Sequence, residues 1–109
     1  MAILHAAPGE PINVEPYGAQ LQNKTTIALF KSEHIEVIRM VLLSGKSLPP
    51  HKVPGEITIQ CIEGKIDVTI EGANNLLVAG ELLYLSGNVM HGVTALENSS
   101  SLVTIVLRK

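Results

Sequence analysis

Aromatic residues are scarce: Tyr17, Phe30 and Tyr84 make up the whole set, and tryptophan is absent. Sugar sites ordinarily stack pyranose rings on aromatic faces, so a carbohydrate-epimerase site is not expected. Cysteine occurs once, at Cys61, so no intrachain disulfide can form and stability has to come from packing. An excess of positive charge is also missing. Eight Lys and Arg face ten Asp and Glu, giving a formal net charge of −2 with no basic run. Binding to nucleic acid releases counterions through clustered Lys and Arg, so no such partner is expected. No apolar run approaches the roughly 18 residues of a membrane span, and the N-terminal stretch lacks the basic flank and length of a signal peptide. The expectation is a soluble, cytoplasmic protein with no membrane partner. A Gly-x-Ser-x-Gly nucleophile elbow and a phosphate-binding glycine loop are both absent.

Hydrophobic residues make up 46% of the chain and charged residues 17%, the balance of a folded chain and not of a disordered one. At 109 residues one domain is expected. Turn signals recur about every ten residues, the rhythm of an all-β sandwich or barrel. Between them lie β-branched and apolar runs at 25–31, 35–42, 57–62, 66–70, 82–85, 93–96 and 102–107. In Ile66-Asp67-Val68-Thr69-Ile70-Glu71 the apolar side chains take one face and the polar ones the other. No window shows the period of an amphipathic helix.

All six prolines lie at or before residue 54. Pro8, Pro11 and Pro16 keep the first segment extended and out of a central strand. Residues 1–22 therefore read as an extended arm along a sheet edge, that of a neighbouring subunit included, with a frayed tail as the alternative. Residues 23–109 read as a single barrel domain.

Two histidines stand beside turns in this pattern. His51 lies in Gly45-Lys-Ser-Leu-Pro-Pro-His51-Lys-Val53-Pro-Gly-Glu56-Ile57, running on to Gly64. His91 lies in Gly80-Glu-Leu-Leu-Tyr-Leu-Ser86-Gly-Asn88-Val-Met-His91. The pair resembles the two signature motifs of the cupin superfamily. Gly45, His51 and Gly64 match the first motif in spacing, and Gly80 and His91 match the second. Val53 stands where the first motif has its second histidine, Ile57 or Thr58 where it has glutamate, and Ala95 where the second motif has asparagine. Ser86 replaces a proline and Asn88 a glycine, although Asn tolerates the left-handed backbone such a turn needs.

The resemblance implies an all-β double-stranded β-helix, a jelly-roll cupin barrel, commonly a homodimer, with both histidines meeting inside. It also implies a divalent metal such as Fe, Mn, Ni or Zn held by His, His, Glu and His, of which this chain keeps His51 and His91. A catalytic metal normally takes about three protein ligands. A bulge at Pro54-Gly55 could turn Glu56 inward as a third, and Cys61 is a further candidate. The alternative is a metal-free pocket. Alternation puts His51, Val53, Ile57, Ile59 and Cys61 on one strand face, the cheaper one to bury. With Tyr84, Met90 and His91 they form the expected ligand pocket, joined by Leu83, Leu85 and Val93. Arg39, the one charge in a long apolar run, is expected either to reach a carboxylate ligand or to lie on an exposed or subunit-facing surface. His5 and His34 are expected in solvent.

Two functions follow from the resemblance. One is a small-molecule-binding single-domain cupin with a partial or degenerate metal site, serving as a sensor or accessory module. The other is a metal-dependent cupin enzyme, a dioxygenase or isomerase acting on a small carbonyl compound. Whether the protein is an enzyme stays open at this point. Apolar residues outnumber what one small barrel can hide, so a homodimer is expected.

Overall fold

The computed structural model describes residues 5–108. Nine strands follow a short 3-10 helix at Gly18–Asn23: β1 Ile27–Lys31, β2 Ile35–Leu42, β3 Ser47–His51, β4 Ile57–Glu63, β5 Lys65–Ile70, β6 Ala73–Val78, β7 Leu82–Leu85, β8 His91–Ala95 and β9 Ser99–Val106. They form two sheets, one ordered β1-β2-β9-β4-β7 and the other β3-β8-β5-β6. Every strand pair is antiparallel. The last strand returns to lie between β2 and β4, giving the all-β architecture expected from the turn rhythm and the jelly roll that the resemblance implies. No helix among the described residues is long and apolar enough to cross a membrane.

Alternation drives the packing. Ile57, Ile59 and Cys61 on β4 are buried while Thr58 and Gln60 between them are half-buried. Ile66 and Val68 on β5 are sealed from solvent, each worth roughly 1.5–3 kcal/mol of burial. The β5–β6 hairpin turns on Glu71 and Gly72, with φ of 48° and 85°. Two successive positive φ angles are those of a type I′ turn, whose twist matches the flanking strands. Two residues suffice for it, so β6 begins at Ala73, inside a stretch the sequence marks as turn.

Two strands carry no clear apolar alternation and are silent in the sequence. Every residue of β3 is exposed and two are Pro49 and Pro50. It is an edge strand, where a missing N–H can face solvent. The other edge of that sheet is β6, which leaves Leu76 and Val78 exposed.

Residues 5–26 lie on the chain's own five-stranded sheet; residues 1–4 of the expected arm fall outside the described residues. Ala6 donates to the Leu29 carbonyl at 3.0 Å, and Leu21 is buried. Beneath the arm is Arg39, 1% exposed, on the sheet face opposite Ile38 and Met40. It neither faces solvent nor reaches the hollow between the sheets, against the expectation of a carboxylate ligand or an exposed position: its Nη2 donates to the Glu15 carbonyl at 2.8 Å and to Ser100 Oγ at 2.9 Å, and lies 3.4 Å from Glu63 Oε2. Tyr17 stacks over the guanidinium, 4.1 Å from ring centroid to Cζ. Glu63 in turn accepts the backbone N–H groups of Tyr17 and Gly18 and the Ser100 hydroxyl. A buried charge must be paired, and the clasp meets that need while fastening the arm.

Candidate binding site

The two sheets leave a hollow between them. The hollow has a volume of about 150 Å³. The five-stranded sheet contributes Ile38 and Met40 from β2, Ile57 and Ile59 from β4, and Val103 and Ile105 from β9; the facing sheet contributes Leu48, His51, His91 and Val93. Thr26 completes the rim, its hydroxyl already bonded to the backbone of Val41. The two histidines are the only ionisable side chains among these residues.

His51 and His91 are direct cross-strand partners on β3 and β8. Their ring centroids lie 4.6 Å apart, with the planes tilted by 48°. His91 is buried at 4% exposure, whereas His51 is exposed and stands at the mouth. A register shift brings them together. Leu48 pairs with Val93 and His51 with His91, so three steps on β3 answer two on β8. Strict alternation would send Leu48 and His51 to opposite faces; the extra residue in the Pro49-Pro50 bulge lets both line the hollow. Gly92, between the two β8 partners, permits this close approach. A Cβ there would stand 3.1 Å from the Leu48 carbonyl oxygen and 3.3 Å from the Pro50 nitrogen.

Each imidazole is oriented by the chain just before it. His91 Nδ1 lies 3.0 Å from the Val89 carbonyl oxygen, and His51 Nδ1 lies 3.4 Å from that of Pro49. A carbonyl oxygen only accepts, so each Nδ1 carries a proton and a neutral ring keeps its lone pair on Nε2. The loop before His91 is held by Asn88, whose φ of 63° is the left-handed turn conformation and whose N–H donates to the Val53 carbonyl at 2.7 Å. That bond ties the two histidine-bearing stretches together.

No family model and no curated protein matches the sequence. Solved structures do. A cupin superfamily protein from Desulfitobacterium hafniense superposes with a TM-score of 0.73 at 16% identity, over 76% of each chain. An RmlC-like cupin from Desulfovibrio desulfuricans gives 0.75 at 22%, over 89% of this chain and 96% of that one. A conserved protein of unknown function from Streptococcus pyogenes gives 0.77 at 16%, over 100% and 99%. The fold is the cupin barrel.

Within this cupin barrel the residues expected around the histidines divide. His51, Ile57, Ile59, His91 and Val93 line the hollow. Val53, Leu83 and Leu85 pack into or against the core without lining it. Tyr84 lies elsewhere: it pairs with Thr58 on the outer face of β7 and is 60% exposed, because Leu83 and Leu85 take the inward positions. Met90 is exposed, since His91 takes the inward place at the start of β8. Cys61 is sealed in the core further along β4, with Sγ 3.5 Å from the Glu63 carbonyl oxygen. Burial pushes its thiol above the ordinary range, opposing thiolate formation.

Glu56 is exposed and precedes the inward Ile57, so the strand's alternation points it away from the hollow. Its carbonyl accepts from Val106, which holds that register. Among the described residues no group of three His, Cys, Asp or Glu is placed to hold a metal ion. Of the ligand positions that the resemblance implies, the described residues bring together His51 and His91, fewer than the roughly three protein ligands of a catalytic centre. The donors present do not fit a complete metal site.

Six lining residues were not anticipated: Ile38, Met40, Leu48, Val103, Ile105 and Thr26. The first two were accessible to sequence reasoning, because the inward face of β2 is the one opposite Arg39. Leu48 was not, since its orientation depends on the bulge.

Proposed function

We propose that this cupin is a small-molecule-binding module whose ligand lies in the hollow between the sheets, with its polar group at the two imidazoles. The observation that carries the reading is the pairing of His51 and His91 at one wall of an otherwise aliphatic cavity of about 150 Å³. A cavity of that size lined by aliphatic side chains tends to stay dry and to accept a benzene-sized body. Burial of the ligand against Ile57, Val93 and Val103 supplies affinity, and the ring nitrogens fix orientation. Two imidazoles alone hold a metal weakly, so metal chemistry is not part of this reading.

Two measurements test it. Elemental analysis of the purified protein is expected to find less than about half an equivalent of metal per chain, since two donors fall short of a full set. Titration with toluene, followed by methyl NMR, is expected to shift Ile57, Val93 and Val103. Near-stoichiometric metal that disappears in the His51→Ala, His91→Ala double variant would instead favour a metal-dependent enzyme.

A further inference from the structure

We infer that the ligand of this site is a neutral hydrogen-bond donor with a compact apolar body, a small alcohol or phenol, and not a carboxylate, a simple carbonyl compound or an amine. The inference rests on the proposed binding reading and adds the chemical class. Three observations lead to it.

The first is the protonation pattern. Both Nδ1 atoms face backbone carbonyl oxygens, Val89 at 3.0 Å and Pro49 at 3.4 Å, so both carry hydrogen. In the neutral rings Nε2 is then an acceptor on each, and the site offers two acceptors and no imidazole donor. A carbonyl oxygen or carboxylate arriving there would find no proton to accept and would lose its water for nothing. A hydroxyl brings the missing proton.

The second is the absence of charge. The lining holds no carboxylate to pair with an ammonium group. An ammonium group buried without a partner costs far more than a neutral one, which excludes amines. The third is size. The cavity of about 150 Å³ matches a body of about seven non-hydrogen atoms, one ring with a single hydroxyl. With His51 exposed at the mouth and His91 buried, a hydroxyl beside the paired rings leaves the apolar body to fill the interior between β4, β8 and β9.

The test is calorimetric and NMR titration of the whole protein at about pH 8 with benzene, phenol and benzoate. Phenol is expected to bind about five- to tenfold more tightly than benzene, the contribution of one net hydrogen bond, and benzoate at least about tenfold more weakly than phenol. The His51→Leu, His91→Leu double variant is expected to bind benzene and phenol alike. His51→Leu alone, altering an exposed edge residue, is expected to narrow the difference and serves if the double variant does not fold. Benzene binding with phenol no tighter overturns the donor class and leaves the binding reading intact. Benzoate binding as tightly as phenol also overturns it. Failure of both benzene and phenol to bind sinks the binding reading and this inference with it.

Discussion

Replacing Glu63 with alanine removes the centre of the clasp that fastens the N-terminal arm. Its carboxylate accepts from Tyr17, Gly18 and Ser100 and faces the Arg39 guanidinium at 3.4 Å. Arg39 is 1% exposed and Glu63 14%, so the variant would strand a buried cation. Breaking a buried pair from one side costs about 3–5 kcal/mol. The lower end applies, because Arg39 keeps the Glu15 carbonyl and Ser100 as acceptors. For 109 residues at ~2.1 cal/mol/K each, the unfolding entropy is ~0.23 kcal/mol/K, so ~3 kcal/mol lowers Tm by ~13 °C. Thermal unfolding followed by circular dichroism measures this, and limited proteolysis should show the arm cut early. Replacing both charges, as Arg39→Met with Glu63→Ala, is expected to cost less than Glu63→Ala alone, since no charge is then left unpaired. A Tm loss below about 4 °C for the single variant would refute the claim that the clasp anchors the arm.

Acid should act through the same residue. Burial pushes the Glu63 carboxyl up, but the Ser100, Tyr17 and Gly18 hydrogen bonds and the Arg39 charge outweigh it and hold it below the ordinary 4.5. Its contribution is therefore fully present above pH 4.5 and lost as pH falls through the lower folded value; Tm of the parent should fall more steeply on acidification than that of Glu63→Gln. Gly92→Ala is expected to push β3 away from β8 at a cost of about 1–3 kcal/mol and to weaken toluene binding, read by unfolding and titration. Cys61, buried with a raised thiol pKa, should react with a thiol reagent only as fast as the protein unfolds; prompt labelling of the native protein would contradict its placement.

What the sequence made legible was set by burial. Strands β2 and β7 match their apolar runs at both ends, because β2 is buried on both faces over its second half and β7 alternates against a buried face. The convergence of His51 and His91 was implied by the resemblance of their two stretches to the cupin motifs, and the rings do meet. Strands β3 and β6 escaped notice because β3 is exposed throughout and β6 nearly so, which leaves neither a regular apolar face. Arg39 and Glu63 were opaque for a different reason. They are 24 positions apart, and nothing local shows that the arm will fold over them. Tyr84 misleads because one position's shift in a four-residue strand reverses its direction.

The central claim is that the hollow beside the histidine pair takes a ligand, and the most direct measurement is a crystal structure of the protein soaked with toluene. The account predicts ring density between Ile57, Val93 and Val103, in van der Waals contact with His91. Well-ordered crystals with that space unchanged, or toluene bound only elsewhere on the surface, would contradict it.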